Sequence, residues 1–355
     1  MKTLYKNVQA YQPGGSFKRA DFIFEDGVLS EVDQQSAISN QQSEILDGSD
    51  YYAIPGLIDI HTHGCAGGDW MTADTGKIRA MSEYETAGGV TSFCPSTISA
   101  KLSDIEAAVL RIHGNCPAAV GYNIEGPFLA PSKAGAQNVS TMCAPDTDFI
   151  VRLNEKCGGL VKLVSIAPEL PGALDFIREI SARGIVCSVA HTTADYELAK
   201  KAFEAGARHV THLFNAMPPF NHREPGVIGA AADNPDVIVE LICDGVHLHP
   251  SVVRTAFKIF GADRIAMISD SMEATGLPDG EYTLGGSSPV IVKGREARLR
   301  DGGALAGSVT NLMGCLRVAV NEMGIPLAAA VRACTETPAR VIGLPPPKNA
   351  LLLKL

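Results

Sequence analysis

Eight short apolar runs recur along the chain, and their number and spacing constrain the fold more than any other feature. They occupy residues 54–64, 89–97, 119–128, 161–168, 184–191, 209–215, 237–244 and 265–270. Nearly continuous apolar runs of this length are typical of strands buried on both faces of a parallel sheet. Segments with helical spacing lie in the gaps or after the last run, for example at 194–206, 250–260 and 309–323. This alternation predicts an α/β fold, a TIM (β/α)8 barrel, and fits an open doubly wound sheet less well.

Two segments fall outside the alternation. Residues 1–53 and 276–304 carry turn signals between short runs of strand-forming residues. We expect these two segments to form one small β-domain. The barrel domain is then made from residues 54–275 and 305–345, and residues 346–355 form a short C-terminal tail.

Composition and charge exclude several classes of function. The formal net charge of −9 disfavours non-specific binding to nucleic acid or to an anionic membrane, so an anionic substrate would need a local basic pocket. The nine cysteines include no CxxC pair, which fits reduced thiols better than a disulfide framework. The first residues, MKTLYKNVQAYQPGG, lack the apolar core of a signal peptide. We therefore expect a soluble, cytoplasmic protein without a membrane span.

Polar side chains stand where five of the eight apolar runs end. These are His61 and His63 after the first run, Glu125 after the third, His191 after the fifth, His212 after the sixth and Asp270 after the eighth. In a barrel of this type the chemistry lies at the carboxyl ends of the strands. Imidazole and carboxylate groups are the ligands of zinc-type metals. One such histidine alone is more often structural, but their joint placement predicts a metal site.

The remaining histidines divide by position. His247 also follows an apolar run, the seventh, and could reach the same mouth. We interpret His113, in a helix-like stretch, and His249, beside Pro250, as incidental to the site. His209 begins its strand, so we expect it at the opposite rim of the barrel.

Seven short motifs carry a resemblance to a known family. They are PGLIDIHTHG, EGPF, AHT, THLFNAM, REPG, DGVH and LAGS, spread from about residue 54 to 308. In this order and spacing they resemble the N-acetylglucosamine-6-phosphate deacetylases of the amidohydrolase superfamily. The stretch THLFNAMPPF with REPG is highly specific, whereas HxH alone would be weak.

The resemblance implies a role for each strand-end residue. Glu125, His191 and His212 would hold a principal divalent metal, and His61 with His63 would supply a second one with Glu125 as the bridge. One or two cations per subunit are implied, with Zn²⁺ and Fe²⁺ both suited to these ligands. Asp270 would be the general base that takes the proton of the metal-activated water and then returns it to the sugar amine. The alternative for Asp270 is a metal ligand only, or a group that orients a histidine.

A second set of residues is implied to bind the substrate. Arg223 and His247 match the positions that read the 6-phosphate, in some members from a neighbouring subunit, so a homodimer is implied. The alternative is a surface ion pair of Arg223 with Glu224. The other implied substrate contacts are Gln137, Asn215, Ala216, Leu305, Ala306 and Gly307. We interpret Cys65 as a small buried residue rather than a further ligand.

The chain departs from the family pattern in two places. Gln137 stands where the family usually has a histidine that helps to polarise the substrate carbonyl, and an amide donates only a neutral hydrogen bond. The chain also ends in VIGLPPPKNALLLKL, without the segment that usually returns to the small β-domain. We expect that domain to lack one or two strands and to expose an edge.

These observations predict hydrolysis of the N-acetyl group of N-acetylglucosamine 6-phosphate. N-acetylgalactosamine 6-phosphate is the first alternative substrate. A cyclic-amide hydrolase fits less well, because Lys162 lies within the fourth run rather than at its end. A non-catalytic homologue that only binds a sugar phosphate is the remaining alternative.

Overall fold

The structure is a computed structural model that describes residues 2–32, 44–345 and 347–355. Its strands are β1 (Lys2–Gln12), β2 (Ser16–Glu25), β3 (Val28–Glu31), β4 (Glu44–Asp47), β5 (Tyr52–Pro55), β6 (Leu57–Thr62), β7 (Gly64–Cys65), β8 (Gly68–Asp69), β9 (Val90–Pro95), β10 (Tyr122–Ile124), β11 (Val161–Ile166), β12 (Val186–Val189), β13 (His209–Val210), β14 (Ile238–Ile242), β15 (Ile265–Ile268), β16 (Gly280–Leu284), β17 (Ser288–Lys293), β18 (Glu296–Leu299) and β19 (Ala350–Leu353). Its α-helices are α1 (Thr75–Ala87), α2 (Leu102–Ile112), α3 (Thr147–Lys156), α4 (Ala173–Ala182), α5 (Tyr196–Ala205), α6 (Gly226–Asp233), α7 (Pro250–Phe260), α8 (Leu312–Asn321), α9 (Leu327–Cys334) and α10 (Glu336–Val341).

The eight apolar runs each contain one strand of a curled parallel sheet. Strands β10 to β15 pair in chain order in one six-stranded parallel sheet, and β6 pairs in parallel with β9. Parallel bridges join Phe93 to Ala119 and Ser96 to Asn123, which connects β9 with β10. A further parallel bridge joins Thr62, the last residue of β6, to Ser271, which lies just beyond the end of β15. The predicted parallel strands are therefore confirmed, and all eight end on the same side of the sheet.

Helices follow the strands because each presents one apolar face to the sheet. Helix α5, predicted at 194–206, begins after Asp195, whose side chain accepts a hydrogen bond from the backbone N–H of Leu198. Asp is a favoured residue at this capping position because it satisfies an otherwise free amide of the first turn. The buried side chains Ala199, Ala202 and Phe203 share one face of the helix. No helix in the described ranges is both long enough and apolar enough to cross a bilayer.

The interior of the curled sheet is filled by a small apolar cluster. Its strand members are Ile58, Ile60, Cys94, Leu163, Ile238, Ile242, Ala266 and Ile268, and Ala339, Val341 and Ile342 at the end of the barrel chain complete it. The opposite faces of the strands pack against the surrounding helices in a much larger cluster. Because the small cluster fills the interior, the polar groups at the strand ends stand on a close-packed apolar base.

The two segments outside the alternation form separate sheets, contrary to the expectation of one shared β-domain. Strands β16, β17 and β18 pair only with one another among the described residues. Their apolar face, with Leu284 and Val290, packs on Ile98 and Met272 beside the strand ends. The backbone N–H of Gly285 donates to the Asp69 carboxylate at 2.7 Å, which ties this sheet to the loop after the first barrel strand. In the described residues this sheet therefore packs on the barrel and does not pair with the N-terminal strands.

The C-terminal tail also differs from its expectation. Strand β19 lies between β3 and β5 in a six-stranded sheet of order β2-β3-β19-β5-β1-β4. Four of its residues pair antiparallel with β5, from Ala350 opposite Pro55 to Leu353 opposite Tyr52. The run ALLL thus supplies an interior strand, where we had expected a missing strand and an exposed edge. In the described residues, strands β1 to β5 and this tail therefore share one sheet.

Helix α1 buries one carboxyl group, and this predicts a pH-dependent stability. Burial and the nearby Asp59 raise the pKa of Glu85 to about 8, against a smaller lowering by the Cys65 thiol. A raised carboxyl pKa favours the folded state at low pH, and this contribution is lost as the pH rises through the folded pKa. At pH 7 the buried carboxyl group lowers the free energy of unfolding by about 3 kcal/mol relative to an exposed one. We expect Glu85→Gln to stabilise the protein increasingly from about pH 5 to about pH 8.

Urea unfolding across that pH range measures this gain in the free energy of unfolding. Glu83→Gln is the matched control, because Glu83 is exposed on the same helix. A gain for Glu85→Gln that is constant with pH would contradict the assignment.

Candidate active site

The structure brings together all six side chains that the sequence singled out as metal ligands or acid–base groups. They form two neighbouring groups, His61 with His63 and Asp270, and Glu125 with His191 and His212. Within each group the candidate ligand atoms lie within 4.8 Å of one another. All six residues are buried, although they are polar or charged. Each group offers the imidazole and carboxylate atoms that bind divalent transition metals.

Three of these residues adopt a backbone conformation that side chains rarely take. His191, His212 and Asp270 each lie two residues beyond the end of a strand, with φ values of 42°, 26° and 50°. A left-handed backbone costs a residue other than glycine roughly 1–3 kcal/mol and clusters at functional sites. This turn bends the chain at the strand end, so that the side chain enters the mouth of the sheet.

A glycine makes room for one of these turns. Gly307 has φ of 66°, and a Cβ added there would lie 2.9 Å from the carbonyl oxygen of Asp270. The next backbone N–H, of Ser308, donates to the same oxygen at 2.7 Å. Gly307 therefore permits the close backbone approach that holds Asp270 in position.

The carboxylate of Glu125 lies between the two groups. Its Oε1 is 3.2 Å from Nε2 of His191 and 3.1 Å from Nε2 of His212. Its Oε2 is 3.2 Å from Nε2 of His63 and 3.7 Å from Nε2 of His61. This geometry agrees with the bridging position that the resemblance implied for Glu125.

Gln137 contacts Glu125 in the structure. Its Nε2 donates to Glu125 Oε2 at 2.6 Å, and its Oε1 accepts from the backbone N–H of Ser99 at 2.6 Å. The Ser99 amide can only donate, so this bond fixes which end of the side-chain amide faces Glu125. We had expected Gln137 to face the substrate. Gln137 also lines the cavity. The second N–H of its side-chain amide is the group suited to contact a substrate there.

Mutual attraction between the buried groups sets their charges. Burial alone would raise the pKa of Glu125, but His61, His191 and His212 hold it well below its usual range. Burial opposes a charge on His63, yet its bonds to Asp270 and Glu125 raise its pKa to about 9. Glu125 is thus ionised at neutral pH, and a cation bound in this site would displace the proton that His63 carries.

Two histidines have their second nitrogen engaged behind the site. Nδ1 of His191 lies 2.8 Å from the carbonyl oxygen of Lys133, and Nδ1 of His61 lies 3.0 Å from Oε2 of Glu240. Both partners accept, so in each neutral ring Nδ1 carries the proton and Nε2 keeps its lone pair. Both Nε2 atoms face the carboxylate of Glu125. The donor set therefore fits a divalent cation in each group.

A cavity of about 360 Å³ opens over these groups. Among the predicted substrate-binding residues, those that line it are Gln137, Asn215, Ala216, His247, Leu305 and Gly307. The cavity is within the size range of sites for small molecules. It is lined in addition by Lys133, a cation that suits an acidic ligand.

Two predicted contacts lie elsewhere. Ala306 is fully buried in the apolar cluster beneath the three-stranded sheet, because its backbone N–H pairs with the carbonyl of Ala297 at 3.0 Å and turns the side chain away from the cavity. Ala304 lines the cavity in its neighbourhood. Arg223 is exposed on the loop before α6 and is absent from the lining of the cavity among the described residues. Its predicted partner Glu224 is exposed beside it.

The other residues weighed in the sequence have structural contacts. Cys65 is buried, as expected, and its thiol donates to the carbonyl of Met81 at 3.5 Å. His113 contacts the Tyr122 hydroxyl, and His249 caps α7. His209 differs from its expectation, because it lies in the interior with Nδ1 3.8 Å from Oε1 of Glu240 rather than at a rim.

Glu240, like Lys133, was not among the residues predicted from the sequence. It is fully buried within β14, and it contacts His61 and the backbone of His212. The available signal was a single charge inside the apolar run VIVELI, where a buried strand otherwise excludes charge.

Comparison with known proteins assigns the chain to a family. Residues 52–351 match the model of the amidohydrolase family. A curated relative from Bacillus subtilis (strain 168), N-acetylglucosamine-6-phosphate deacetylase, is 39% identical over 81% of this chain and 74% of its own length. N-acetylgalactosamine-6-phosphate deacetylase from Escherichia coli O157:H7 is 32% identical over 90% of this chain and 84% of its own.

A solved structure is similar over almost the whole chain. It is a variant of N-acetyl-D-glucosamine-6-phosphate deacetylase from Mycobacterium smegmatis in complex with N-acetyl-D-glucosamine-6-phosphate. The TM-score is 0.89 at 30% identity, covering 99% of this chain and 95% of that one.

The shared position of Glu125 predicts how cation binding responds to substitution. We expect Glu125→Gln to weaken binding in both groups, by more than the roughly 10–100-fold typical for loss of a hydrogen-bond partner behind a metal ligand. His63→Asn should weaken only the group of His61 and Asp270. Zn²⁺ titration of chelator-treated protein by calorimetry measures both effects, and His113→Asn is the control. If Glu125→Gln weakened Zn²⁺ binding in only one of the two groups, the bridging position would be ruled out.

Proposed function

The chain belongs to the amidohydrolase family, and we propose that it hydrolyses N-acetylglucosamine 6-phosphate to glucosamine 6-phosphate and acetate. The observation that carries this proposal is the convergence of four histidines, Glu125 and Asp270 in two neighbouring groups, of which all members but His61 line one cavity. The names of its relatives support the substrate. The parallel order of β6 and β9 to β15, with bridges at both junctions, supports a closed (β/α)8 barrel as the scaffold.

The enzyme depends on a divalent metal, as its family and its ligand groups indicate. Glu125, His191 and His212 would hold one cation, and His61, His63 and Asp270 a second. Zn²⁺ or Fe²⁺ suits this mixture of nitrogen and oxygen ligands. A divalent cation bound there lowers the pKa of water to about 7 and polarises an amide carbonyl.

Asp270 is the proposed proton carrier of the reaction. Burial opposes its ionisation, but His63, His61 and His212 lower its pKa to about 2. At neutral pH it is therefore a carboxylate that can accept a proton from water. Because it lines the cavity, it can pass this proton to the nitrogen of the departing sugar amine. Its Oδ1 lies 3.2 Å from Nε2 of His63, so it also serves the nearby cation group.

His247 and Arg223 are the proposed readers of the phosphate. Nδ1 of His247 lies 2.8 Å from Oδ2 of Asp244, which leaves Nε2 for the cavity. Arg223 lies on an exposed loop with Phe220, whose side chain is 55% exposed. We therefore propose a homodimer in which this loop covers the partner's cavity and Arg223 contacts the partner's substrate. A planar guanidinium suits the oxygens of a phosphate.

N-acetylgalactosamine 6-phosphate is the second candidate substrate. It is supported by the relative from Escherichia coli O157:H7 that is named for it. The two sugars differ only in the orientation of one hydroxyl group, so the reaction and the roles of the metal ligands would be the same. The cytoplasm remains the predicted location.

Turnover by the metal-loaded protein tests the proposed reaction. We expect acetate release from N-acetylglucosamine 6-phosphate, faster than from the galactose epimer. Asp270→Asn should lower kcat roughly 10²–10⁴-fold, because an amide cannot carry the proton. A coupled acetate assay measures both, with cation content determined on the same sample. Metal-loaded protein that hydrolyses neither sugar phosphate would exclude the deacetylase function.

The proposed phosphate contact predicts a defect in substrate binding. We expect Arg223→Ala to raise KM for the phosphorylated substrate at least tenfold, an effect of about 1.4 kcal/mol, and to change kcat much less. Light scattering in solution measures the oligomeric state, for which we expect a dimer. Arg178→Ala is the control, since Arg178 is an exposed arginine of α4. An unchanged KM or a monomeric active enzyme would contradict the proposed role across the interface.

A further inference from the structure

Glu240 is a buried charge in an apolar strand. It lies in the middle of β14, and its relative exposure is 0%. The neighbours two residues away on either side, Ile238 and Ile242, belong to the apolar cluster inside the curled sheet. Residues two apart in a strand share a face, so Glu240 also points inward. A buried carboxylate is costly unless it is paired and hydrogen-bonded, so its partners account for its presence.

Both strong partners of Glu240 bind the same oxygen. Oε2 lies 3.0 Å from Nδ1 of His61, and it accepts a hydrogen bond from the backbone N–H of His212 at 3.0 Å. His61 belongs to one candidate cation group and His212 to the other. One carboxylate oxygen of β14 therefore reaches both groups from behind, without facing the cavity itself.

The two contacts act on different features of the site. The contact with His61 requires a proton on Nδ1, so Nε2 of the neutral ring is left free for a cation. The contact with His212 engages the backbone N–H of a residue whose φ is 26°. A strained turn of this kind persists only when its surroundings hold it, and a charge-assisted hydrogen bond is a strong restraint.

We propose that Glu240 is the positioning residue that couples the two cation groups, by fixing the tautomer of His61 and the strained backbone of His212. This role rests on the proposed metal-dependent function. The role depends on the length of the side chain more than on its negative charge, because a glutamine in the same place can present one oxygen to both donors. An aspartate keeps the charge, but its side chain is one methylene shorter and cannot reach both donors from the same strand position.

The test compares two variants. Glu240→Asp shortens the side chain and keeps its charge, whereas Glu240→Gln keeps its length and removes the charge. Chelator-treated proteins are titrated with Co²⁺, followed by visible absorption, and the bound metal is counted by elemental analysis. We expect Glu240→Asp to bind Co²⁺ roughly 10–100-fold more weakly, with an altered absorption band. Glu240→Gln should lose less than about tenfold in affinity and keep the wild-type band. Glu85→Gln is the matched control, since it removes a fully buried carboxylate outside both groups.

Each outcome decides for or against the proposal. Wild-type affinity in Glu240→Asp would overturn it, as would an equal loss in Glu240→Gln or in Glu85→Gln. Should Glu240→Asp not fold, the affinity and absorption band of Glu240→Gln decide alone, a wild-type band supporting the proposal and a lost band refuting it. Because no sugar phosphate is present, these results are independent of deacetylation. Normal Co²⁺ binding without turnover would refute the proposed function and leave the role of Glu240 intact.

Discussion

The carboxylate of Glu125 is the interaction on which the rest of the site depends. It is buried among four imidazoles, with one oxygen toward His191 and His212 and the other toward His61 and His63. A buried charge of this kind is tolerable only with opposite charges and hydrogen bonds around it. The strands around it must therefore place their histidines within about hydrogen-bond distance of the Glu125 carboxylate. The curled parallel sheet meets this demand because its strands all end on one side.

The site also requires energetically unfavourable backbone conformations. His191, His212 and Asp270 all turn through the left-handed region immediately after their strands. Such turns cost roughly 1–3 kcal/mol each, and a rigid surrounding structure must hold them. The apolar cluster inside the sheet supplies that rigidity, and Gly307 removes the steric obstacle beside Asp270. Packing below the site and hydrogen bonds behind it thus act together to position the polar side chains.

Local patterns predicted the elements well but their long-range partners poorly. The run 237–244 was identified as a strand from its apolar character alone, and its strand β14 pairs with the strands before and after it in the sequence, as expected. The hairpins at β16 to β18 were identified too, yet they pack beside the strand ends instead of joining the N-terminal sheet. The tail was expected to leave the small β-domain without one or two strands, yet its ALLL run is an interior strand of the N-terminal sheet. Which sheet a strand joins depends on distant surfaces, and periodicity along the chain carries no information about them.

The sequence by itself determined the eight strands, the family and the six polar groups at the strand ends, because these depend on residue type and local spacing. Tertiary structure alone decided which side chains face the cavity. It turned Ala306 into the apolar cluster, kept Arg223 on an exposed loop and set Gln137 against Glu125. It also revealed Glu240, whose two partners are 179 and 28 residues away in the sequence. Contacts across such separations exist only once the sheet has curled, and for that reason no local pattern could predict them.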